Sequence, residues 1–560
     1  MTTSLDPPVR RLVRELVERA WAEAVASGAL PAVPEGVEAP GVGVARPANP
    51  EHGDFATNLA LKLARPLRRP PLVIAEALAP AVRAAGGDLL SGVEVAPPGF
   101  LNLRLAPAFT EAALDRARVA GPAFGRVQVE RTRRVNVEFV SANPTGPLHI
   151  GNARGAFVGD LLSRVLAAAG HEVTREYYFN DFGAQVRVLG ASVRALRAGE
   201  PLPEEAYRGA YVADLAAELP DEVWARATEA GADGDGIVGA WASERVRAGI
   251  EASLEHLGVH FDVWKTEGSL HREGWVERAI SRLGESGHVY EQDGAVWFRS
   301  TAFGDDKDRV IRKSDGAYTY FAADIGYLTE KFSRGFDHLI YIWGADHHGT
   351  VARVRNAAQA MGFDREAVQM LLIAWVRFIR DGVEISMSKR SGEFITLDEL
   401  LAEIGVDAAR WFFAARGHTV GIDFDIELAK KQSAENPVYY VQYAHARIAS
   451  ILRRAAEEKL APAASVRGSL GGDPVALGLA AQVLRLPEVV EDAAAAEETQ
   501  GLTAYAMELA TTFHAFYRDR RVVDAGDPAV SAARLALVDA CRLALANTLE
   551  LIGISAPESM

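Results

Sequence analysis

Hydrophobic and polar positions follow three different patterns along the chain. In residues 1–115, one amphipathic helix precedes proline- and glycine-rich loops and short strand-like runs, which predicts a small α+β domain. Residues 130–428 alternate strand-like runs with helical patterns, as in an α/β domain with a largely parallel sheet, and roughly 190–290 form an insertion in it. Residues 429–560 are helical almost throughout, which predicts an all-α unit of roughly four or five helices. We therefore expect a multidomain α/β protein.

The first helix also bears on where the protein resides. Charged residues interrupt its apolar positions too often for the core of a signal peptide. No stretch of the chain approaches the roughly 20 apolar residues that cross a bilayer. We expect a cytoplasmic protein without a membrane partner. The apolar face of this helix is formed by Leu12, Val13, Leu16, Val17, Ala20, Trp21 and Ala24.

Composition changes this picture in two respects. Hydrophobic residues make up 49% and charged residues 24% of the 560 positions, which is ordinary for a soluble globular protein. The one cysteine, Cys541, excludes a disulfide within the chain and a cysteine-based zinc site, and its apolar neighbours indicate a buried thiol. The net charge of −15 means that a nucleic-acid partner would have to be bound by local basic patches.

The strongest chemical signal is a strand, a turn and a helix start in succession. An apolar run over residues 135–140 is followed by a proline- and glycine-rich turn over 141–147, and helical spacing begins near His149. A helix that begins after such a turn points its unpaired N–H groups at a phosphate. His149 and Asn152 share the first helical turn, and Gly151 permits close approach of a ligand. A capped helix with an incidental histidine is the alternative, but the preceding turn and strand disfavour it.

Two signatures in this order identify the chain as a member of a known class. His149-Ile-Gly-Asn152 resembles the HIGH signature of class I aminoacyl-tRNA synthetases, with asparagine in the fourth position. Ser386-Met-Ser-Lys-Arg390 is similar to their KMSKS loop, and Lys389 matches its phosphate-binding lysine. The resemblance implies a Rossmann-type parallel-sheet catalytic core that binds ATP. His149 and Asn152 would stabilise the reacting phosphates, and Lys389 would stabilise the departing pyrophosphate.

Longer stretches resemble the arginyl-tRNA synthetases in particular. They begin at Glu138, Tyr178, Asp315, Gly344 and Tyr440, and the similarity extends over essentially the whole chain. The resemblance implies that the protein activates L-arginine with ATP to arginyl-adenylate and transfers it to the 3′-terminal adenosine of arginine tRNA. It also implies a tRNA-contacting N-terminal domain and an anticodon-binding C-terminal domain. By the same resemblance we expect a monomer.

The resemblance also assigns the arginine pocket. A guanidinium is a planar fork of donors that favours carboxylate and carbonyl acceptors. An alternative for Asp324 is a helix N-cap, whereas Glu138 in an apolar strand would be costly without a charged or hydrogen-bonding partner. The residues expected to bind arginine are Glu138, Ser141, Asn143, Tyr320 and Asp324.

Further positions are assigned to ATP. Adjacent histidines at 347 and 348 on a strand end point in different directions, so a contact to ATP is favoured over a zinc site. We expect Mg²⁺ to enter with the nucleotide and expect no structural zinc or other protein-bound metal. The residues expected to bind ATP are His149, Gly151, Asn152, Gly344, Asp346, His347, Met387, Ser388 and Lys389.

Contacts to tRNA are predicted at two places. Phe55 and Asn58 lie in a stretch that resembles part of the family's N-terminal domain, and either could contact an exposed base. Packing of Phe55 in the core is the alternative. Arg453 and Arg454 could contact phosphate, or they could lie on a solvated helix face.

Two other functions compete with the ligase. One is a nucleotidylyltransferase with a HIGH-type fold and a small-molecule acceptor, which would leave the N- and C-terminal units without a role. The other is a catalytically inactive synthetase paralogue that binds RNA. The presence of His149, Lys389 and the two carboxylates argues against the paralogue, because a protein that only binds RNA does not need them.

Overall fold

The computed structural model describes residues 6–385, 396–524 and 526–560. The KMSKS-like positions Met387, Ser388 and Lys389 therefore lie outside the described residues. The first elements pair as a four-stranded antiparallel sheet in the order β1-β2-β4-β3, against which three helices pack. The elements are α1 (Val9–Ala26), β1 (Val44–Ala45), β2 (Phe55–Thr57), α2 (Leu59–Leu67), α3 (Pro71–Gly86), β3 (Leu90–Ala96), β4 (Phe100–Leu105) and α4 (Pro107–Ala120).

The apolar face predicted for the first helix is the buried face of α1. Val13, Leu16, Val17, Ala20 and Ala24 are all buried at spacings of three or four residues. They pack against α3, while the charged positions between them face outward. The residues that predict this helix are therefore those that hold it on the sheet.

A five-stranded parallel sheet forms the centre of the molecule. Its strand order is β12-β11-β5-β6-β7, so the chain returns to the far side of β5 after building β6 and β7. The carboxyl ends of its strands lie at one edge, where open α/β sheets bind their ligands. Its strands and the first crossover helix are β5 (Arg134–Glu138), α5 (Ile150–Ala168), β6 (Glu172–Phe179), β7 (Val263–Thr266), β11 (His338–Gly344) and β12 (Val368–Ile373).

Helix α5 packs unusually closely on the strand that precedes it. A Cβ atom on Gly159 would lie 2.2 Å from the ring of Phe139, directly after β5. Only a glycine permits this separation, so the middle of α5 is held against the residue that follows β5. The sequence therefore places the HIGH-like turn and Glu138 at the same edge of the sheet.

Between the parallel strands lie helices and a small antiparallel sheet. Helices α6–α9 connect β6 to β7, and β8–β10 pair in the order β10-β9-β8 before the chain re-enters the central sheet. These elements are α6 (Ala184–Ala198), α7 (Ala210–Glu218), α8 (Asp221–Glu229), α9 (Gly234–His256), α10 (Glu267–Arg272), α11 (Trp275–Glu285), β8 (Val289–Gln292), β9 (Ala295–Phe298), β10 (Arg309–Arg312) and α12 (Tyr320–Ser333).

After the central sheet, a small second sheet of order β14-β13-β15 precedes a purely helical region. The predicted fold class is confirmed, because an α+β start, a parallel-sheet core and a helical end follow one another. The remaining elements are α13 (His348–Ala360), β13 (Val376–Arg380), β14 (Val383–Glu384), α14 (Leu397–Ile404), α15 (Val406–Ala414), β15 (Ile422–Asp425), α16 (Ile426–Lys430), α17 (Pro437–Glu457), α18 (Pro474–Val483), α19 (Leu486–Ala496), α20 (Gln500–Asp519) and α21 (Pro528–Ile552).

One buried arginine joins three of these parts. Arg410 on α15 donates to Asp160 Oδ2 of α5 at 2.8 Å, to the Leu257 carbonyl after α9 at 2.8 Å, and to the Ile552 carbonyl of α21 at 3.0 Å. Both Arg410 and Asp160 are almost completely buried. The guanidinium therefore connects the sheet, the helices inserted in it and the C-terminal helices. Among the described helices, none is both long and apolar enough to cross a membrane.

Candidate active site

The turn before α5 fixes His149 and Asn152 by reciprocal hydrogen bonds. The Gly151 amide donates to His149 Nδ1 at 3.0 Å, and the His149 amide donates to Asn152 Oδ1 at 3.2 Å. Because Nδ1 accepts this hydrogen bond, Nε2 is the donor position of the ring. Asn152 keeps its amide nitrogen as a donor. The first turn of α5 thus fixes both side chains beside the positive end of the helix.

The chain beyond the KMSKS-like segment returns to this turn. Thr396 forms an antiparallel bridge with His149, and the Leu397 amide donates to the Leu148 carbonyl at 3.1 Å. Thr396 also caps α14, with Glu399 completing a capping box. Two regions almost 250 residues apart in sequence are therefore adjacent at the start of α5.

A row of polar side chains crosses the sheet near its ligand-binding edge. Glu138, the last residue of β5, is in register with Tyr341 of β11 and with Glu176 of β6. Register partners in parallel strands project from the same face, so the three side chains lie side by side. All three are buried. Sequence analysis identified Glu138 but neither of its neighbours in this row.

Helix α12 places a matching set of polar groups over that row. Asp324, Tyr327, Lys331 and Arg334 recur at spacings of three or four residues, so they share one face of the helix. The N-cap alternative for Asp324 is wrong, because Thr319 caps this helix through a hydrogen bond to the Ala322 amide. Asp324 lies instead in the second turn.

The partner that Glu138 requires is supplied by the chain itself. The Lys331 ammonium lies 2.6 Å from Glu138 Oε2, and Lys331 is completely buried. Glu176 is bonded by Arg334 at 2.8 Å and by the Tyr327 hydroxyl. Although burial opposes it, the charges of Lys331 and Arg334 lower the pKa of Glu176 below its ordinary value. The spacing of 324, 327, 331 and 334 is the sequence signal that could have revealed these partners.

Asp324 differs from these paired carboxylates. Its carboxylate makes no hydrogen bond or ion pair with any residue that the structure describes. Burial, together with the negative charges of Glu138 and Glu267, raises the pKa of Asp324 to about 7. Glu267, at the start of α10, was not identified from sequence, and burial raises its pKa as well. Among the described residues, Asp324 therefore lacks the paired cation that Glu138 has in Lys331.

The backbone after Glu138 takes a rare conformation. Val140 and Ser141 have φ values of 67° and 43°, in the left-handed region that a β-branched residue such as valine seldom adopts. The Ser141 hydroxyl accepts from the Tyr178 amide at 3.2 Å and lies 3.3 Å from Glu138 Oε1. The turn therefore brings a hydroxyl back over the carboxylate and joins the ends of β5 and β6.

Asn143 and Tyr320, the other residues predicted to bind arginine, are exposed to solvent. Asn143 Oδ1 accepts from the Asn180 amide at 3.2 Å, and its Nδ2 donates to Gln185 at 2.9 Å. Tyr320 is the first residue of α12, one turn before Asp324, and its side chain is 80% exposed. Both residues are therefore accessible to a bound substrate.

Other residues predicted to bind ATP, in addition to those on α5, lie at the end of β11. Gly344 is the last residue of that strand and is in register with Ile373 of β12. Asp346 and His347 follow in one exposed turn, and His347 Nε2 lies 3.7 Å from Asp346 Oδ2. Among the described residues, no group of three or more histidine, cysteine, aspartate or glutamate side chains is arranged to hold a metal ion.

The predicted tRNA contacts have different surroundings. Phe55 is completely buried beneath Arg46, whose guanidinium carbon is 4.4 Å from the ring centroid. Its ring therefore packs in the core, the alternative that the sequence left open, and cannot stack on a base. Asn58 is the partly exposed N-cap residue of α2. Arg453 and Arg454 lie on α17 with side chains 50% and 76% exposed.

Comparison with known proteins decides the family. Successive parts of the chain match three family models: arginyl tRNA synthetase N terminal domain (12–105), tRNA synthetases class I (R), catalytic domain (118–415), and DALR anticodon binding domain (441–560). An arginine–tRNA ligase of Citrifermentans bemidjiense is 45% identical over 531 residues, which cover 93% of this chain and 96% of the relative. The chain belongs to the arginyl-tRNA synthetases.

Other relatives of this family agree. An arginine–tRNA ligase of Bacillus subtilis is 42% identical over 537 residues, covering 93% of this chain and 95% of the relative. The arginyl-tRNA synthetase structure of Thermus thermophilus has the same fold, with a TM-score of 0.76, 24% identity, and coverage of 98% and 100% of the two chains. The predicted synthetase family and enzyme class are confirmed. Neither the inactive paralogue nor the nucleotidylyltransferase is favoured.

Proposed function

We propose that this arginyl-tRNA synthetase charges arginine tRNA in two steps at the edge of the parallel sheet. A carboxylate oxygen of arginine attacks the α-phosphorus of ATP, and the bond from that phosphorus to the β-phosphate oxygen breaks. The products are arginyl-adenylate and pyrophosphate. A hydroxyl of the terminal tRNA adenosine then attacks the arginyl carbonyl carbon, its proton is released, and AMP leaves. The protein's part is to position the reactants and to stabilise charge.

The unpaired carboxylate of Asp324 is the observation that carries the arginine pocket. A half-buried aspartate without a partner is costly, and a guanidinium supplies both the charge and the donors that it lacks. We place the substrate guanidinium between Asp324 and the free lone pairs of Glu138, beside the Ser141 hydroxyl. Tyr320 and Asn143, which are exposed at the rim, would contact the rest of the arginine.

We assign the phosphates of ATP to the start of α5. The Nε2–H of His149 and the amide nitrogen of Asn152 would donate to the reacting phosphate, and Gly151 leaves room for it. Gly344, Asp346 and His347 border the same edge and would bind the nucleoside part. By family resemblance Met387, Ser388 and Lys389 would complete the site, and these three residues lie outside the described part of the chain.

Mg²⁺ would be bound mainly by the nucleotide. This ion retains several waters and commonly binds through substrate phosphates and one or two carboxylates. Among the residues assigned to ATP, Asp346 is the exposed carboxylate that could bind the ion. When bound, the ion would neutralise charge on the phosphates.

The remaining assignments concern tRNA and the state of the protein. We propose that the N-terminal part, through Asn58, and helix α17, through Arg453 and Arg454, contact arginine tRNA. We also propose that the enzyme acts as a monomer in the cytoplasm, where tRNA is charged.

Aminoacylation of bulk tRNA with each amino acid in turn, in the presence of ATP and Mg²⁺, tests the activity. We expect label on tRNA with arginine alone. Charging with another amino acid would overturn the specificity, and no charging by folded protein would overturn the activity.

Asp324→Asn tests the pocket separately. We expect a Michaelis constant for arginine about tenfold to a hundredfold higher, because a hydrogen-bonded charge is lost. The Michaelis constant for ATP should not change. A defect confined to ATP would show that the pocket lies elsewhere.

A further inference from the structure

The Lys331 ammonium is enclosed by one carboxylate and two aromatic rings. Its nitrogen lies 2.6 Å from Glu138 Oε2, 4.2 Å from the Tyr327 ring centroid and 4.0 Å from the Tyr341 ring centroid. Its side chain has no exposed surface. A buried lysine keeps its charge only with such compensation, and here an ion pair and two π faces provide it.

This ion pair changes the charge that the pocket offers to a substrate. Glu138 Oε2 is bound to Lys331, whereas Oε1 lies toward the Ser141 hydroxyl at 3.3 Å. Glu138 is therefore an oriented acceptor whose charge is already compensated. Asp324 has no such counter-ion among the described residues. The pocket accordingly holds Glu138 with its counter-ion and Asp324 without one, and the negative charge of Glu267 also acts on Asp324.

The neighbouring carboxylates differ in their partners. Glu176 is paired with Arg334 at 2.8 Å, and Glu330 is paired with the same guanidinium at 3.0 Å and with Lys265 at 3.5 Å. The Tyr341 hydroxyl is buried, next in register to Glu138, and has no hydrogen-bond partner in the described structure. A donor from a bound substrate would satisfy this oxygen. A guanidinium supplies both the positive charge that Asp324 lacks and donors for these acceptors.

We propose that Lys331 is a positioning residue for arginine specificity, which acts by holding Glu138 as a charge-compensated acceptor beside the unpaired Asp324. This inference rests on the arginine pocket proposed above and adds a residue that does not touch the substrate. An ion pair of this kind contributes little net stability compared with packed apolar groups, so stability alone gives no reason for a lysine here.

Lys331→Met tests the proposal, because it keeps a long unbranched side chain and removes the charge. Without the ammonium, the Glu138 carboxylate stays buried without its counter-ion and loses the contact that directs Oε1 toward Ser141 and the pocket. The Michaelis constant for arginine should rise about tenfold to a hundredfold. The turnover number and the Michaelis constants for ATP and tRNA should change less than about twofold, within the scatter of near-neutral substitutions.

A double-variant cycle with Glu138→Gln shows whether Lys331 acts through Glu138. The double variant has no charge left in this buried pair. In the Glu138→Gln background, adding Lys331→Met should therefore not raise the arginine Michaelis constant further. If Lys331→Met alone fails to fold, the proposal can still be refuted, because a further rise in the Glu138→Gln background would contradict it. An equal rise in both backgrounds would overturn the proposal, as would no rise in either.

Arg410→Met is the matched control for loss of a buried ion pair. Arg410 and Asp160 are as buried as Lys331 and Glu138, and the Arg410 guanidinium lies 2.8 Å from Asp160 Oδ2. We expect this control to leave the arginine Michaelis constant unchanged, and an equal rise would show a general effect of destabilisation. If Asp324→Asn raises that constant and Lys331→Met does not, the inference fails alone. If neither raises it, the proposed pocket fails with it.

Discussion

The backbone amide of Gly151 orients the imidazole of His149 by a hydrogen bond. The Gly151 amide donates to His149 Nδ1 at 3.0 Å, and a Cβ atom built on Gly151 would lie 2.8 Å from the same nitrogen. Real Cβ atoms do not approach other atoms so closely. The amide hydrogen bond orients the ring, and a glycine at this position leaves the room that the ring occupies.

Replacing Gly151 by alanine should displace the His149 ring from the position proposed for its contact with the reacting phosphate. A shift on the order of 1 Å at a catalytic group costs roughly a hundredfold in rate. We expect such a loss in the turnover number for aminoacylation, with little change in the Michaelis constant for arginine. Gly155→Ala is the control on the same helix, since its Cβ would meet no atom within 4 Å. Equal activity of the two variants would contradict this role of Gly151.

Arginine binding should depend on pH through Asp324. Burial and the charges of Glu138 on β5 and Glu267 on α10 raise the pKa of Asp324 to about 7, and Tyr178 and Tyr341 face it from β6 and β11. Below that pH the empty enzyme carries a neutral Asp324, which the guanidinium must ionise. The Michaelis constant for arginine should therefore fall about tenfold per pH unit as pH rises toward 7, and then level off.

Steady-state kinetics between pH 5.5 and 8.5, a window of about 1.5 units on either side of that pKa, would measure this profile. Calorimetry in two buffers of different ionisation enthalpy should also detect proton release when arginine binds at pH 6.5. Asp324→Asn, which cannot titrate at this position, gives the reference profile. A wild-type profile as flat as that reference would show that Asp324 does not titrate in this range.

The same carboxylate should destabilise the fold at alkaline pH. Because the folded-state pKa of about 7 lies above the ordinary aspartate value of 3.8, the folded state holds a proton that the unfolded state has lost between these two values, and stability falls as pH rises through this window. Asp324→Asn should increase the free energy of unfolding at pH 8 by on the order of 2 kcal/mol, allowing for partial exposure. Urea unfolding should show the difference shrinking toward pH 4, and lower stability at pH 8 would contradict the burial argument.

Arg410 should be among the most costly residues to replace for stability. Arg410→Met leaves the Asp160 carboxylate buried without its counter-ion and removes the donors bonded to Leu257 and Ile552. We expect a loss of about 3–5 kcal/mol in urea unfolding. Arg454→Met is the exposed control; its side chain is 76% exposed beside Glu458, and the loss should stay below about 0.5 kcal/mol. Similar losses in both variants would show that the junction is not tightly packed.

Several features could be predicted from the sequence because they depend on neighbouring residues. The amphipathic face of α1, the strand ending at Glu138, the turn before α5 and the helical C-terminal region are all encoded in local spacing. The prediction that Glu138 needs a charged partner also followed from local pattern, since a carboxylate in an apolar strand is too costly alone. That reasoning required a partner but did not identify it.

Only the tertiary structure identified the partner and the state of the other pocket residues. Lys331 is 193 residues from Glu138 in the chain and meets it because β11 returns beside β5 and α12 crosses the resulting row. The same packing leaves Asp324 unpaired in the second turn of α12, whereas packing on the N-terminal sheet buries Phe55. Spacing along the sequence determines which residues share an element, but burial and charge compensation depend on which elements meet, and that is decided by the register and order of the parallel strands.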